Sequence, residues 1–302
     1  MISDFKTRVY GKWILAGEHS VLRGVTALVF PLSSCCLELT YSDQVSLQNP
    51  TDKHLSLQLS GAYGQELQLL FWGVFEKACD LKNINRDLLQ GHVHLQSGIP
   101  IGAGLGASAA LCVAVTQWLG ALGFVSESDY YEFAKNLENL FHGESSGVDI
   151  AVVLSGQGLL FSRSGQREKF APQWQPRWAI SYCGQRGATM ECVQKVKGWI
   201  EKNPSEGQHL DKKMQEAVEL AHKALQLDEI HGLDSLVKAL NVAKDCFDQW
   251  GLTEGAAQSH MQWLLQQGAL AVKPTGSGGG GYILSLWKDW PKESVKQSLI
   301  EC

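Results

Sequence analysis

The 302-residue chain lacks an excess of basic residues: 26 Lys and Arg stand against 31 Asp and Glu, a formal net charge of -5. Binding along a nucleic-acid backbone needs a basic face, so that class is disfavoured, whereas a nucleotide site needs only local positive potential. None of its eight cysteines forms a C-x-x-C pair. Cys112 lies in an apolar run, where a free thiol behaves as a small hydrophobe, and the set reads as reduced rather than as a disulfide framework. The longest apolar stretches, such as Ala107 to Val115, fall short of a membrane span, and MISDFKTRVYGKW carries no apolar signal core. These absences predict a soluble, cytoplasmic protein. Two phosphate-binding strings are also missing. No G-x-x-x-x-G-K-[ST] occurs, and the glycines at 102, 104 and 106 do not have dinucleotide G-x-G-x-x-G spacing, although Glu127 or Asp129 follows at a tolerable distance.

What is present is ordinary globular material, with 44% hydrophobic and 19% charged residues, enough for one large domain or two ordinary ones. Residues 5 to 40 read as strands, FKTRVYGKWILAGEHSVL, VTALVFPL and CCLELTYS, with a hairpin turn at Arg23-Gly24. Alternation at Leu55, Leu57 and Leu59 fits an edge strand, and the spacing of Leu67, Leu70, Phe71, Val74, Phe75 and Ala78 predicts a helix over 65–79. A short strand at 92–96 leads through glycines into an apolar, buried helix, and a further helix is expected over 128–141. The second half alternates strand and helix, with helices near 188–202, 207–226, 232–248 and 254–267. The turn-rich segment SRSGQREKFAPQWQPRW marks a boundary, giving domains 1–170 and 171–302.

Four strings carry possible chemistry. In Pro100-Ile101-Gly102-Ala103-Gly104-Leu105-Gly106-Ala107-Ser108, glycines let the backbone approach a ligand, and the helix that follows offers unpaired N–H groups to an anion. Ser108, in its first turn, could face a phosphate or a metal ion; a tight turn before a core helix is the bland account. In Lys273-Pro274-Thr275-Gly276-Ser277 and the glycines 278–281, a flexible linker is the bland account. A backbone wall against a ligand or against the first loop suits the flanking strands better.

In the third string, HGESSGVD, Asp149 follows a Ser-Gly turn and is expected to enter an apolar strand, Ile150 to Leu154, as either a cap or a catalytic group. Glu138, on the preceding helix, reads by itself as a solvated face residue. In the fourth, GKWILAGEHSVLRG, Lys12 opens an apolar strand that ends at Glu18-His19, a pattern that surface decoration could also produce. His92 and His94 share one strand face, but no third ligand is in view and they read as structural.

Together, in this order, the four strings resemble the GHMP kinase superfamily across nearly the whole chain, with the first string closest to the mevalonate kinases. The resemblance implies a two-domain α+β fold, an N-terminal ribosomal-protein-S5-like domain plus a C-terminal ferredoxin-like domain. It also implies ATP and Mg²⁺ as cofactors, a small-molecule acceptor and, in many relatives, a dimer. Asp149 matches the family aspartate that receives or orients the proton of the attacking hydroxyl, and Lys12 the lysine beside it. Ser108 and Glu138 match the metal ligands, and the loop from Pro100 through Gly102, Ala103, Gly104, Leu105, Gly106 and Ala107 to Ser108 matches the ATP cradle. Glu18, His19, Gly276 and Ser277, with Lys12 and Asp149, fall on the acceptor side. The implied reaction is phosphoryl transfer from ATP to the primary hydroxyl of mevalonate, with phosphomevalonate or a sugar as the alternative acceptor and a non-catalytic sensor as the alternative class. The chain departs from the family pattern at Ala107 (a serine in many relatives), Ser145 (commonly proline), Ile150 (often asparagine) and Tyr10 (usually smaller, or proline).

Overall fold

A computed structural model describes residues 4–43, 54–61, 64–142, 145–165 and 167–302. Gly143 and Glu144 of the HGESSGVD string lie outside them. The chain divides into two compact units: unit 1 holds residues 4–11, 35–101 and 106–156 of the described chain, and unit 2 holds 12–34, 102–105 and 157–302.

Two long strands, β1 (Asp4–Ala16) and β2 (Ala27–Ser42), contribute residues to both units. β1 and β2 pair with each other, as the expected hairpin requires, and the connection between them carries a 3-10 turn over Ser20–Arg23 that ends at the left-handed Gly24. The two strands expected over VTALVFPL and CCLELTYS are one. Pro31 and the serines read as a break, but there β2 only changes partners.

In unit 1, β3 (Leu55–Ser60) pairs in parallel with β4 (Gly91–Ser97), which pairs antiparallel with residues 37–42 of β2. Helix α1 (Gly64–Lys82) joins β3 to β4 and buries Leu67, Phe71, Val74, Phe75 and Ala78, the spacing the sequence shows. Helix α2 (Ala107–Ala121) is buried nearly all round, and α3 (Tyr130–His142) packs against it. Trp118 of α2 closes this core, its ring 5.5 Å from Phe75 and 5.3 Å from Tyr41.

Residues 148–155 are not a strand. They form helix α4 (Val148–Ser155), bounded by left-handed glycines at 147 and 156 and packed against α2 and α3. A short run such as VDIAVVL has no period to decide between strand and helix, and its β-branched residues favour the wrong choice.

In unit 2, β5 (Leu159–Phe161) pairs with residues 27–29 of β2 and with β6 (Arg167–Lys169). A second, antiparallel sheet follows. β7 (Arg177–Tyr182), β8 (Ala271–Pro274), β9 (Tyr282–Trp287) and β10 (Ile300–Glu301) are ordered β10-β7-β9-β8. Between β7 and β8 run α5 (Thr189–Lys202), α6 (Pro204–Leu225), α7 (Glu229–Gln249) and α8 (Ala256–Gln266), close to the four helices expected. Met261, Leu264, Val272, Ile283 and Trp287 form one apolar cluster beneath α8.

Candidate active site

Unit 2 gathers the first and last strings. The backbone N–H of Lys12 donates to Leu105 O at 2.9 Å, which fixes β1 against the first glycine loop. The backbone N–H of Ile14 donates to Thr275 Oγ1 at 2.9 Å, and the Thr275 hydroxyl lies 3.1 Å from Ile14 O. The last glycine loop therefore hangs from the same strand. Gly276 has φ 87°, and a Cβ there would come 3.3 Å from Gly104 O, so the two loops meet backbone to backbone. Within unit 2 the glycine run is thus a wall against the first loop, not a linker.

Lys12, Glu18 and His19 are buried, at 3%, 2% and 6% exposure, which rules out surface decoration. Glu18 Oε1 accepts from Lys273 Nζ at 2.5 Å, and the same ammonium donates to Pro274 O at 2.6 Å and lies 3.4 Å from Ile14 O. Burial pushes the Glu18 carboxyl up and the Lys273 ammonium down, and the charge of each partner opposes the shift. Lys12 adds positive potential at Glu18. His19 has φ 57° and ψ -48°, an unfavourable backbone conformation for a residue with a side chain. Its Nε2 lies 2.9 Å from Ser277 O, which makes Nε2 the donor, and its ring packs edge-on against Phe247 and Trp250. Burial pushes its pKa down to about 4, with the Ser277 carbonyl opposing.

Unit 1 gathers the middle strings. Ser108 is the second residue of α2, Glu138 lies on α3 and Asp149 is the second residue of α4; these three helices pack on one another. Glu138 is 1% exposed, which corrects the expectation of a solvated face. Its charge adds to burial in raising the Cys112 thiol. Cys112 stands one turn beyond Ser108 on the same face of α2, so that face is turned toward Glu138. The Ser145 hydroxyl donates to the Glu138 carboxylate, and one carboxylate plus one hydroxyl are oxygen donors of the kind a hard divalent ion takes beside waters and phosphate oxygens. The donor set therefore fits Mg²⁺.

Sequence reasoning gave no role to Lys273, Thr275, Phe247, Trp250 or Cys192. Lys273 and Thr275 sat inside a string read only for its glycines. Cys192, on α5, lies 3.3 Å from Gly278 O, a relation that no local spacing announces.

The profile described as GHMP kinases N terminal domain matches residues 70–157, the stretch that carries Ser108, Glu138 and Asp149. Over that stretch the chain is similar to the GHMP kinases. Likeness to a kinase family implies ATP use. Among relatives, the chain is 28% identical over 294 residues to the mevalonate kinase of Pyrococcus horikoshii, covering 91% of this chain and 86% of that protein. It is 28% identical over 288 residues to that of Archaeoglobus fulgidus, covering 94% and 93%. Among solved structures, L. major mevalonate kinase in complex with R-mevalonate matches with TM-score 0.77 and 23% identity over 98% of this chain and 90% of that one. Lactococcus lactis galactokinase complexed with galactose matches with TM-score 0.73 and 14% identity, covering 97% and 87%. The two-unit α+β architecture is that of GHMP kinase structures.

Proposed function

We propose that this chain is an ATP-dependent mevalonate kinase, converting mevalonate and ATP to 5-phosphomevalonate and ADP. The observation that carries this reading is the likeness, over about nine-tenths of the chain, to relatives that are mevalonate kinases. The retained Lys12, Glu18, His19, Ser108, Glu138 and Asp149 support it.

In the proposed reaction the primary hydroxyl oxygen of mevalonate forms a bond to the γ-phosphorus as the bond from that phosphorus to the β–γ bridging oxygen breaks, leaving ADP. Asp149 receives or orients the hydroxyl proton, and Lys12 offsets charge on the transferring group. The first glycine loop and the start of α2 supply N–H donors to the nucleotide phosphates. Ser108 and Glu138 would hold Mg²⁺, which supplies neutralisation of phosphate charge when bound. The chemistry asks little of the protein beyond positioning and electrostatics, and a rigid backbone wall suits that demand. Glu18, His19, Gly276 and Ser277 belong to the acceptor side. A cytoplasmic setting suits the eight free cysteines. Incubation with MgATP and R-mevalonate, followed by mass and phosphorus resonance analysis of the product, tests the reading. A phosphomonoester on the primary carbon supports it; ATP consumed without that ester, or not consumed, overturns it.

A further inference from the structure

Glu138 and Asp149 are carried by different helices of unit 1, and one short side chain between them in sequence is bonded to the supports of both. Ser145 is 5% exposed. Its hydroxyl donates to Glu138 Oε2 and accepts the Gly147 N–H at 3.0 Å, while its own backbone N–H donates to Asn139 Oδ1 at 2.8 Å. One hydroxyl thus joins the carboxylate on α3 to the first residue before α4, and Asp149 lies two residues further on. The anchor at that end is rigid. Gly147 has φ 81°, and a Cβ there would collide with the Tyr131 hydroxyl of α3. A proline at 145 would lack both the N–H and the hydroxyl, so these bonds depend on the serine.

We propose that Ser145 is a positioning residue for the metal-binding carboxylate: it sets the rotamer of Glu138 and fixes that carboxylate relative to the start of the helix that carries Asp149. The inference rests on the reading of Glu138 as a Mg²⁺ ligand. Ser145 touches no reacting atom in this account; it acts by holding Oε2 on a directed donor, which leaves the orientation of the carboxylate plane no free choice. Hydrogen-bond partners of metal ligands act this way elsewhere, and their loss weakens metal affinity by about 10- to 100-fold.

The test compares wild type, Ser145→Ala, Ser145→Thr and Glu138→Gln in thermal melts with Mg²⁺ titrated against a non-hydrolysable ATP analogue, and in turnover at varied Mg²⁺. Ser145→Ala is expected to raise the half-effective Mg²⁺ concentration by about tenfold in both readouts, with KM for mevalonate unchanged, and Ser145→Thr to stay within about threefold of wild type. Should Ser145→Ala not fold, Ser145→Cys, of nearly the same shape but a weak donor, is expected to show the same rise. An unchanged Mg²⁺ half-point in a folded Ala or Cys variant, beside a defective Glu138→Gln, overturns the positioning role alone. An unchanged Mg²⁺ response in Glu138→Gln overturns the metal reading on which it stands.

Discussion

Lys273 Nζ lies 2.5 Å from Glu18 Oε1, and neither side chain is more than 2% exposed to solvent. The pair joins β8 to the turn after β1, and Lys273 spends its other donors on the backbone carbonyls of Pro274 and Ile14. It is a structural clasp under the two glycine loops of unit 2.

Removing one half of that clasp leaves a charge buried without its partner. Lys273→Met is expected to destabilise the protein by about 3–5 kcal/mol. Combining it with Glu18→Leu is expected to recover most of the loss. Urea unfolding of the singles and the double decides this; additive losses would show that the two side chains do not act as a pair.

His19 gives stability a defined pH dependence. Its folded pKa, about 4, lies below its ordinary value of 6.5. Between these values the unfolded chain binds more protons, so its contribution is fully present above about pH 6.5 and is lost as pH falls toward 4, in total on the order of 3 kcal/mol. His19→Gln is expected to flatten the fall in melting temperature across that window. An identical pH profile in the variant would contradict the burial argument.

Ser108→Ala is expected to raise the Mg²⁺ requirement of turnover about tenfold while leaving the melting temperature of the metal-free protein within a few degrees. Turnover at graded free Mg²⁺ with ATP held constant checks it, and an unchanged requirement argues against ligation by Ser108.

Asp149→Asn is expected to lower kcat by about 10²–10⁴-fold, with affinity for the ATP analogue nearly unchanged. Stopped-flow turnover beside calorimetric nucleotide binding separates the two. Near-normal kcat would remove Asp149 from the proton-transfer role.

Much of this molecule was legible in order along the chain. Phe71, Val74, Phe75 and Ala78 announce α1 by spacing alone, and the glycines at 102, 104 and 106 mark a loop before α2 because few other sequences bend so tightly there. The sequence points to Asp149 as a candidate but suggests a strand where a helix forms, since a short, mostly apolar run between two glycines suits either period. The buried state of Glu138 was not legible. On a lone helix it reads as solvated, and only the packing of α2 and α4 around it reverses that. Lys273 was hidden for the same reason: a lysine at a strand position reads as exposed until its partner, 255 residues away in sequence, closes over it. Ser145 was visible only as a departure from the proline common among relatives, and its hydrogen bonds give that departure a physical meaning.

The most direct measurement is the steady-state rate of ADP release from MgATP with R-mevalonate, phosphomevalonate, galactose and homoserine in parallel. A kcat/KM for mevalonate at least about a hundredfold above every other acceptor is the expected result, because binding groups matched to one acceptor leave a mismatched one with unpaired polar groups. Comparable or higher turnover of another acceptor, or no mevalonate-dependent ADP release from protein that binds the nucleotide, would contradict the account.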